Sequence, residues 1–431
     1  MYYDITAPSC LSQAIKLPAS KSVSNRALII HALAEAGIQP LSTGSREAAL
    51  PRNLSDCDDT EVIVHALRHR PHDIDIKAAG TAMRFMTAYL ATCDGEEHLL
   101  TGTERMRHRP IHVLVDALRR LGASITYVGE EGFPPLLING TTMVGGELDV
   151  PGNISSQFIS ALLLIGPVLR DGLTLRLTGN IISRPYIDLT LWTMREFGAD
   201  AEWSDYDTIR VNHTPYRSRP YLIENDWSAA SYWYEMMALS AGGNLDEIRL
   251  EGLMDGSKQG DSSLRYIFSL LGVKTTFADK VAGVPTTVAL HHSDRCVPRL
   301  EYDFTNAPDL TQTFVVCCAL LDIPFHFNGL STLRIKETDR IEALKTEMRK
   351  LGYVIHDANG SELTWDGERC EPCLEAGIDT YEDHRMALSF APAALRFPGL
   401  RINNPQVVSK SYPHFWDDLR QCGFHIAEER E

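Results

Sequence analysis

One pattern of apolar and polar positions recurs along the chain: an amphipathic helix closing on a large apolar residue or a cysteine, then glycine, then a short alternating strand. It reads LVDALRRLGASITYV, LWTMREFGADAEW, YIFSLLGVKTTF, EALKTEMRKLGYVIH and FWDDLRQCGFHI. The glycines Gly122, Gly198, Gly272, Gly352 and Gly423 recur at a step of about 75 residues, the kind of fixed period that marks repeated supersecondary units. A chain of 431 residues has room for six such units, the first of them degenerate around EVIVHALRHRPHDIDI. Each glycine is predicted to take the left-handed conformation that ends a helix ahead of a strand.

Every interval carries a second helix of different character. SNRALIIHALAEAG, GTAMRFMTAYLAT, SSQFISALLLIGPVL, WSAASYWYEMMALSAGG, APDLTQTFVVCCALL and EDHRMALSFAPAALRF are apolar nearly all round and should be buried, whereas the MRKLG type carries charge and should lie outside. Alternating helix and strand of this kind predicts an α/β protein of six βαβ-like units, three per half. Turn formers in SRPYLIENDWSAAS, residues 218–231, mark the passage between halves.

Composition narrows the function. Lys and Arg number 41 against 57 Asp and Glu, a formal net charge of -16, so the average surface repels nucleic acid and anionic membrane. No apolar stretch is long enough to span a bilayer and MYYDITAPSC does not read as a signal peptide, so a cytoplasmic protein is expected. The nine cysteines are odd in number and scattered, which argues against a disulfide framework. Cys317 and Cys318 read as buried small hydrophobes, and Cys370 with Cys373 is a lone C-x-x-C without a second pair.

Against that acidic background the starts of the buried helices are unusually rich in hydroxyls and cations. A helix N-terminus already favours an anion through its free N–H groups and dipole. SKSVSNR adds Lys21, Ser22 and Arg26, with Ser24 and Asn25 read as capping residues; AAGTAMR adds Thr81, Arg84 and Gly80, where an anion could approach the backbone closely. NISSQF adds Ser155, Ser156 and Gln157, NIISRPYID adds Ser183 and Tyr186, and MRHRPI adds Arg109. RIKETDR contributes Lys336, Glu337 and Arg340, YEDHRM contributes His384 and Arg385, and VVSKSYP contributes Lys410. Convergence of these starts would suit a substrate with several anionic groups, because Arg reads carboxylate and phosphate bidentately. Of the two acids flanking Pro308, Asp309 reads as a dipole partner and Asp303 as the better general base; Glu337 is a second acid-base candidate. His108 and His112 have the spacing of a metal pair, but Pro110 stands between them and no third ligand follows, so no metal is expected. Neither G-x-x-x-x-G-K-[ST] nor G-x-G-x-x-G occurs.

Taken together, LPASKSVSNRALI, LSDCDDT, AGTAMRF, LTGTERMRHRPI, GNISSQFISALL, ISRPYIDLT, RIKETDRIEAL, YEDHRMALSFA and SKSYPHFW, in that order, resemble the enolpyruvyl transferase family and within it the 5-enolpyruvylshikimate-3-phosphate synthases. The resemblance implies an inverse α/β-barrel-like fold of six βαβαββ repeats in two domains, one formed by residues 1–18 with 225–431 and the other by 19–224, with the active site in the cleft between domains. It implies transfer of the enolpyruvyl group of phosphoenolpyruvate to the 5-hydroxyl of shikimate 3-phosphate through a tetrahedral intermediate, by a monomer without cofactor or metal. Shikimate 3-phosphate would be held by Lys21, Ser22, Arg26, Ser155, Ser156, Gln157, Ser183, Tyr186, Asp303 and Lys336. Phosphoenolpyruvate would be held by Lys21, Gly80, Arg109, Gln157, Arg340, Arg385 and Lys410, and catalysis would fall to Asp303, Glu337, Lys21, Lys336 and His384.

The chain departs from the family pattern at Ala78 and Thr332, where some members have Asn, and at His112, where many have Gly; STGSREAALPRN looks longer than the usual loop. Two rivals are a transferase acting on UDP-N-acetylglucosamine, which would call for a reactive Cys near MRHRPI, and an inactive phosphometabolite-binding paralogue, which would call for broken acid-base positions. The sequence shows neither feature.

Overall fold

A computed structural model describes residues 1–36, 50–240, 247–279, 281 and 283–429. Gly37, residues 42–49 of STGSREAALPRN and the end of WSAASYWYEMMALSAGG from residue 241 lie outside the described residues. The chain divides into two compact units, Met1–Pro18 with Glu224–Glu431 and Ala19–Ile223, each with a hydrophobic core of its own.

Among the described residues, and apart from the single turn Glu104–Arg107, twelve helices alternate between two kinds. The buried ones are α1 (Lys21–Ala36), α3 (Gly80–Ala91), α5 (Ser156–Ile165), α7 (Trp227–Leu239), α9 (Thr311–Leu320) and α11 (His384–Phe390). The amphipathic ones are α2 (Asp58–His69), α4 (His112–Arg120), α6 (Arg184–Glu196), α8 (Leu264–Phe268), α10 (Arg340–Lys350) and α12 (Phe415–Gln421). Apolar side chains on all faces leave the first kind no stable place except a core, and a charged stripe keeps the second kind at the surface.

The sheets repeat one topology. In the order Asp73–Asp75, Glu97–Thr101, Leu136–Asn139, Ser124–Tyr127, the first pair is parallel and the next two pairs are antiparallel. The same sequence of pairings joins Gly146–Pro151, Leu173–Thr178, Thr208–Val211 and Ala201–Trp203. It recurs in Leu300–Asp303, Phe325–Asn328, Glu362–Trp365 and His356–Ala358. The parallel pair brackets a buried helix, the crossover that parallel strands need.

The amino-terminal segment completes two further sheets. Ser12–Lys16 pairs in parallel with Glu247–Met254, supplying the first strand of a sheet whose other members follow residue 246. Tyr2–Thr6 lies between Leu400–Asn403 and His425–Glu429, antiparallel to both.

All five period-marking glycines have positive φ, between 82° and 106°. Four come one residue beyond the helix, after the C-caps Leu121, Phe197, Leu351 and Cys422; Gly272 instead lies inside the strand Leu271–Phe277, at a register shift between Leu271 and Val273. The degenerate first copy places Arg70 at the left-handed position, φ 45°, after α2. Ser24 and Asn25 do not cap α1, which begins at Lys21. Ser24 Oγ accepts from Ser55 N at 3.0 Å and Asn25 Oδ1 from Thr60 Oγ1 at 2.8 Å, tying α1 to the start of α2.

Candidate functional site

In the unit Ala19–Ile223, the structure joins some of the polar helix starts read from the sequence. Lys21 opens α1 and pairs with the buried Asp59 at 3.2 Å. Ser155 caps α5, accepting from Gln157 N, and Gln157 Nε2 donates to Thr81 Oγ1 at 3.1 Å, joining the starts of α5 and α3. Ser183 is buried ahead of α6 with φ 54°, a conformation that β-carbon residues avoid unless their surroundings impose it. A β-carbon at Gly80 would stand 2.8 Å from Arg109 Nη1. Glycine there leaves room for the Arg109 guanidinium itself, so the cation and the free N–H groups of α3 form one anion-favouring surface.

Arg26 differs from its reading as a ligand-facing cation. It is 3% exposed and donates to Thr190 Oγ1 at 2.7 Å, Ser22 O at 2.8 Å, Ser160 Oγ at 3.2 Å and Tyr186 O at 3.2 Å. Burial lowers its pKa to about 10, opposed by Tyr186, which leaves it charged at neutral pH. Its placement braces α1, α5 and α6 against one another and holds Ser22 and Tyr186 at the surface of that brace. Arg84, offered by the same reading, likewise donates to Gly80 O at 3.1 Å and Pro110 O at 3.4 Å.

The unit that contains residues 224–431 holds a denser cluster. Arg340, 1% exposed at the start of α10, is gripped by Asp383 through Nε–Oδ2 at 2.7 Å and Nη2–Oδ1 at 3.2 Å. It also meets Asp309 at 3.0 Å and Glu337 at 3.0 Å. Lys410 Nζ reaches the other Glu337 oxygen at 2.9 Å. Asp309 further binds Arg385 at 3.2 Å and lies 3.6 Å from Lys336. Burial alone would raise the Asp309 carboxyl, but Arg385, Lys336 and Arg340 together hold it well below the usual carboxylate range. Asp383 caps α11, accepting from Arg385 N at 2.9 Å, and the buried His384 has Nδ1 3.7 Å from the same carboxylate. Lys336, Arg340, Arg385 and Lys410 thus stand around Asp309, Glu337 and Asp383, cations interleaved with acids that an incoming phosphate or carboxylate can displace.

Asp303 is exposed and accepts from Thr305 N at 2.8 Å, and Asp309, read from sequence as a dipole partner, is the acid set among the cations. Asp383 and Asp59 do not stand out in the sequence. The first carries a signal in hindsight, since an Asp directly ahead of His384 and Arg385 fits an N-cap. The second does not, because its partner lies 38 residues away. Thr332 Oγ1 is buried with no hydrogen-bond partner among the described residues. Among the described residues no group of three or more His, Cys, Asp or Glu side chains could hold a metal ion, and no helix is long and apolar enough to cross a membrane.

The family model for EPSP synthase (3-phosphoshikimate 1-carboxyvinyltransferase) matches residues 5–419. A 3-phosphoshikimate 1-carboxyvinyltransferase of Bacteroides fragilis is 56% identical over 431 residues, covering 100% of both chains. One from Photobacterium profundum is 34% identical over 435 residues, covering 94% of this chain and 95% of that one. Among solved structures, an EPSP synthase from Acinetobacter baumannii matches with TM-score 0.75 at 20% identity, over 99% of this chain and 100% of that one. The enolpyruvyl transferase NikO from Streptomyces tendae matches with TM-score 0.68 at 17% identity, over 99% and 98%. Both structures share the fold of this chain.

Proposed function

This chain belongs to the EPSP synthase family, and from that premise we propose which of its residues carry the reaction, the transfer of the enolpyruvyl group of phosphoenolpyruvate to the 5-hydroxyl of shikimate 3-phosphate with release of phosphate. The observation that carries the assignment is Glu337 held between Arg340 at 3.0 Å and Lys410 at 2.9 Å. Phosphoenolpyruvate brings a phosphate and a carboxylate to Arg340, Arg385 and Lys410, with Lys21, Gly80, Arg109 and Gln157 as its further partners. Those anions replace Glu337 on its two cations and leave its carboxyl to proton chemistry.

Glu337 then delivers a proton to the methylene carbon while the 5-hydroxyl oxygen bonds to the neighbouring carbon, giving a tetrahedral intermediate. Return of one methyl proton to Glu337, with cleavage of the carbon–oxygen bond to phosphate, yields product, and the proton taken from the hydroxyl leaves on the phosphate. Asp303 takes the hydroxyl proton, its free oxygen being the one that does not accept from Thr305 N, and Lys336 compensates the charge. His384, fixed beside Asp383, completes the proton-handling set. Shikimate 3-phosphate is held by Ser155, Ser156 and Ser183 at its phosphate, and by Lys21, Ser22, Gln157 and Tyr186, with Arg26 positioning Ser22 and Tyr186 from behind. Preorganised cations facing charge that shifts from phosphate ester to leaving phosphate supply electrostatic stabilisation, the largest single contribution in many enzymes.

Every residue needed comes from one chain, which supports a monomer, and nine free thiols support a reducing, cytoplasmic setting. The test is phosphate release by the purified chain with both substrates present. Wild type should release phosphate only when both are added. Glu337→Gln should lower kcat by about 100-fold or more, the scale of one lost proton-transfer group, with KM for phosphoenolpyruvate changed far less. Wild type without release, or a fully active variant, would refute the assignment.

A further inference from the structure

The turn that delivers Asp383, His384 and Arg385 adopts an unfavourable backbone. Tyr381 and Glu382 both lie in the left-handed region, at φ 53° and 55°, and neither is Gly, Asn or Asp. Two consecutive β-carbon residues do not hold this conformation unless something outside the turn imposes it.

A buried carboxylate does so. Glu347, on α10 and 0% exposed, accepts from Tyr381 Oη at 2.7 Å through one oxygen and from Asp379 N at 3.0 Å through the other. Lys350 lies 2.8 Å from Glu347 and donates to Asp379 Oδ2 at 2.8 Å and Gly377 O at 3.0 Å, closing the clamp. Tyr381 as a residue is 38% exposed, so its hydroxyl bond, not core packing, fixes the turn. The turn ends at Asp383, whose N donates to Thr380 O at 2.8 Å and whose carboxylate grips Arg340 and caps Arg385. Arg340 and Glu347 sit on the same helix, so α10 both presents a cation of the cluster and anchors the turn that orients it.

We propose that Glu347 is a positioning residue for the reaction: without touching substrate, it holds the Tyr381–Glu382 turn and thereby sets Asp383, Arg340 and Arg385 in register for the anionic groups of phosphoenolpyruvate. This rests on the assignment of those arginines to phosphoenolpyruvate made above. It distinguishes the two substrates, because a loosened turn moves cations of this cluster and leaves the hydroxyl-rich helix starts of residues 19–223 as they are.

Steady-state kinetics on the full chain test it with Tyr381→Phe and Glu347→Gln. Both variants should raise KM for phosphoenolpyruvate by about fivefold or more and lower kcat, with KM for shikimate 3-phosphate within about twofold of wild type. The effects of the two single variants should not add in the double variant, since both changes act on the Tyr381–Glu347 bond. A second readout, calorimetric titration with inorganic phosphate, needs no turnover: Tyr381→Phe should bind phosphate about fivefold more weakly than wild type. If wild type proves inactive, the reaction assignment fails while the phosphate titration still decides this inference. Should Glu347→Gln not fold, Tyr381→Phe decides it alone. Unchanged phosphoenolpyruvate and phosphate constants, equal rises in both KM values, or a wild type that binds no phosphate would each overturn the proposal.

Discussion

Asp261 and Asp309 show how one neighbourhood drives two carboxyl groups in opposite directions. Three cations hold Asp309 ionised far below its usual range despite burial. Asp261, 3% exposed, is the more enclosed of the two and accepts from Ser228 Oγ, and Arg385 opposes its burial only in part; burial first, then the charge of Asp309, push its carboxyl up to about 6 from 3.8. A carboxyl raised on folding binds its proton more tightly in the folded state. Its contribution is therefore fully present below about pH 4 and lost as pH rises through 6, to a limit of about 3 kcal/mol at 1.36 kcal/mol per pH unit. Asp261→Asn keeps an acceptor for Ser228 and removes the buried charge. In thermal unfolding it should be more stable than wild type at pH 8 and gain nothing at pH 4; equal destabilisation at both pH values would show that the charge is not the cost.

Among the helices, both kinds carry candidate site residues at their starts, the buried α1, α5 and α11 and the amphipathic α6 and α10. Each buried helix has apolar sides that fix it in a core, so its polar start is held rigidly, with Ser155 and Asp383 each capping one N–H group at α5 and α11. The amphipathic helices contribute through their ends, as α10 does with Arg340, and through the glycines that let the chain reverse into a strand. A β-carbon added at Gly122, φ 106°, would have no neighbouring atom closer than 3.8 Å, so Gly122→Ala would meet no clash. Its cost is purely conformational, about 1–2 kcal/mol, and should appear as a lower urea midpoint with the urea slope unchanged. An unaltered midpoint would mean that the left-handed turn is not required. Arg70 shows the one repeat that does without glycine: its side chain meets Glu96 at 2.9 Å and Tyr89 Oη at 3.2 Å, interactions that offset the strain of its backbone.

For the whole molecule, the decisive feature is that residues 1–18 belong with 224–431. Tyr2–Thr6 is the central strand of its sheet, so deleting residues 1–7 would leave two strands, Leu400–Asn403 and His425–Glu429, with no shared partner and the buried Ile5 missing from the core. Such a truncation should lose the cooperative unfolding transition of that unit while the Ala19–Ile223 unit keeps its own; a full-length-like melting profile would contradict the sheet assignment. The repeat, the two kinds of helix and the polar helix starts follow from the order of residues alone, because hydrophobic period, glycine placement and residue type are local properties. The places of Ser183 and Arg340 at the starts of α6 and α10 are legible in that way. The folded chain was needed to learn that Arg26 braces three helices, that Asp309 and not Asp303 sits among the cations, and that Glu347 clamps the turn ahead of His384. Each of these depends on partners tens of residues or more away in the chain, and no local pattern encodes which distant group a buried charge will meet.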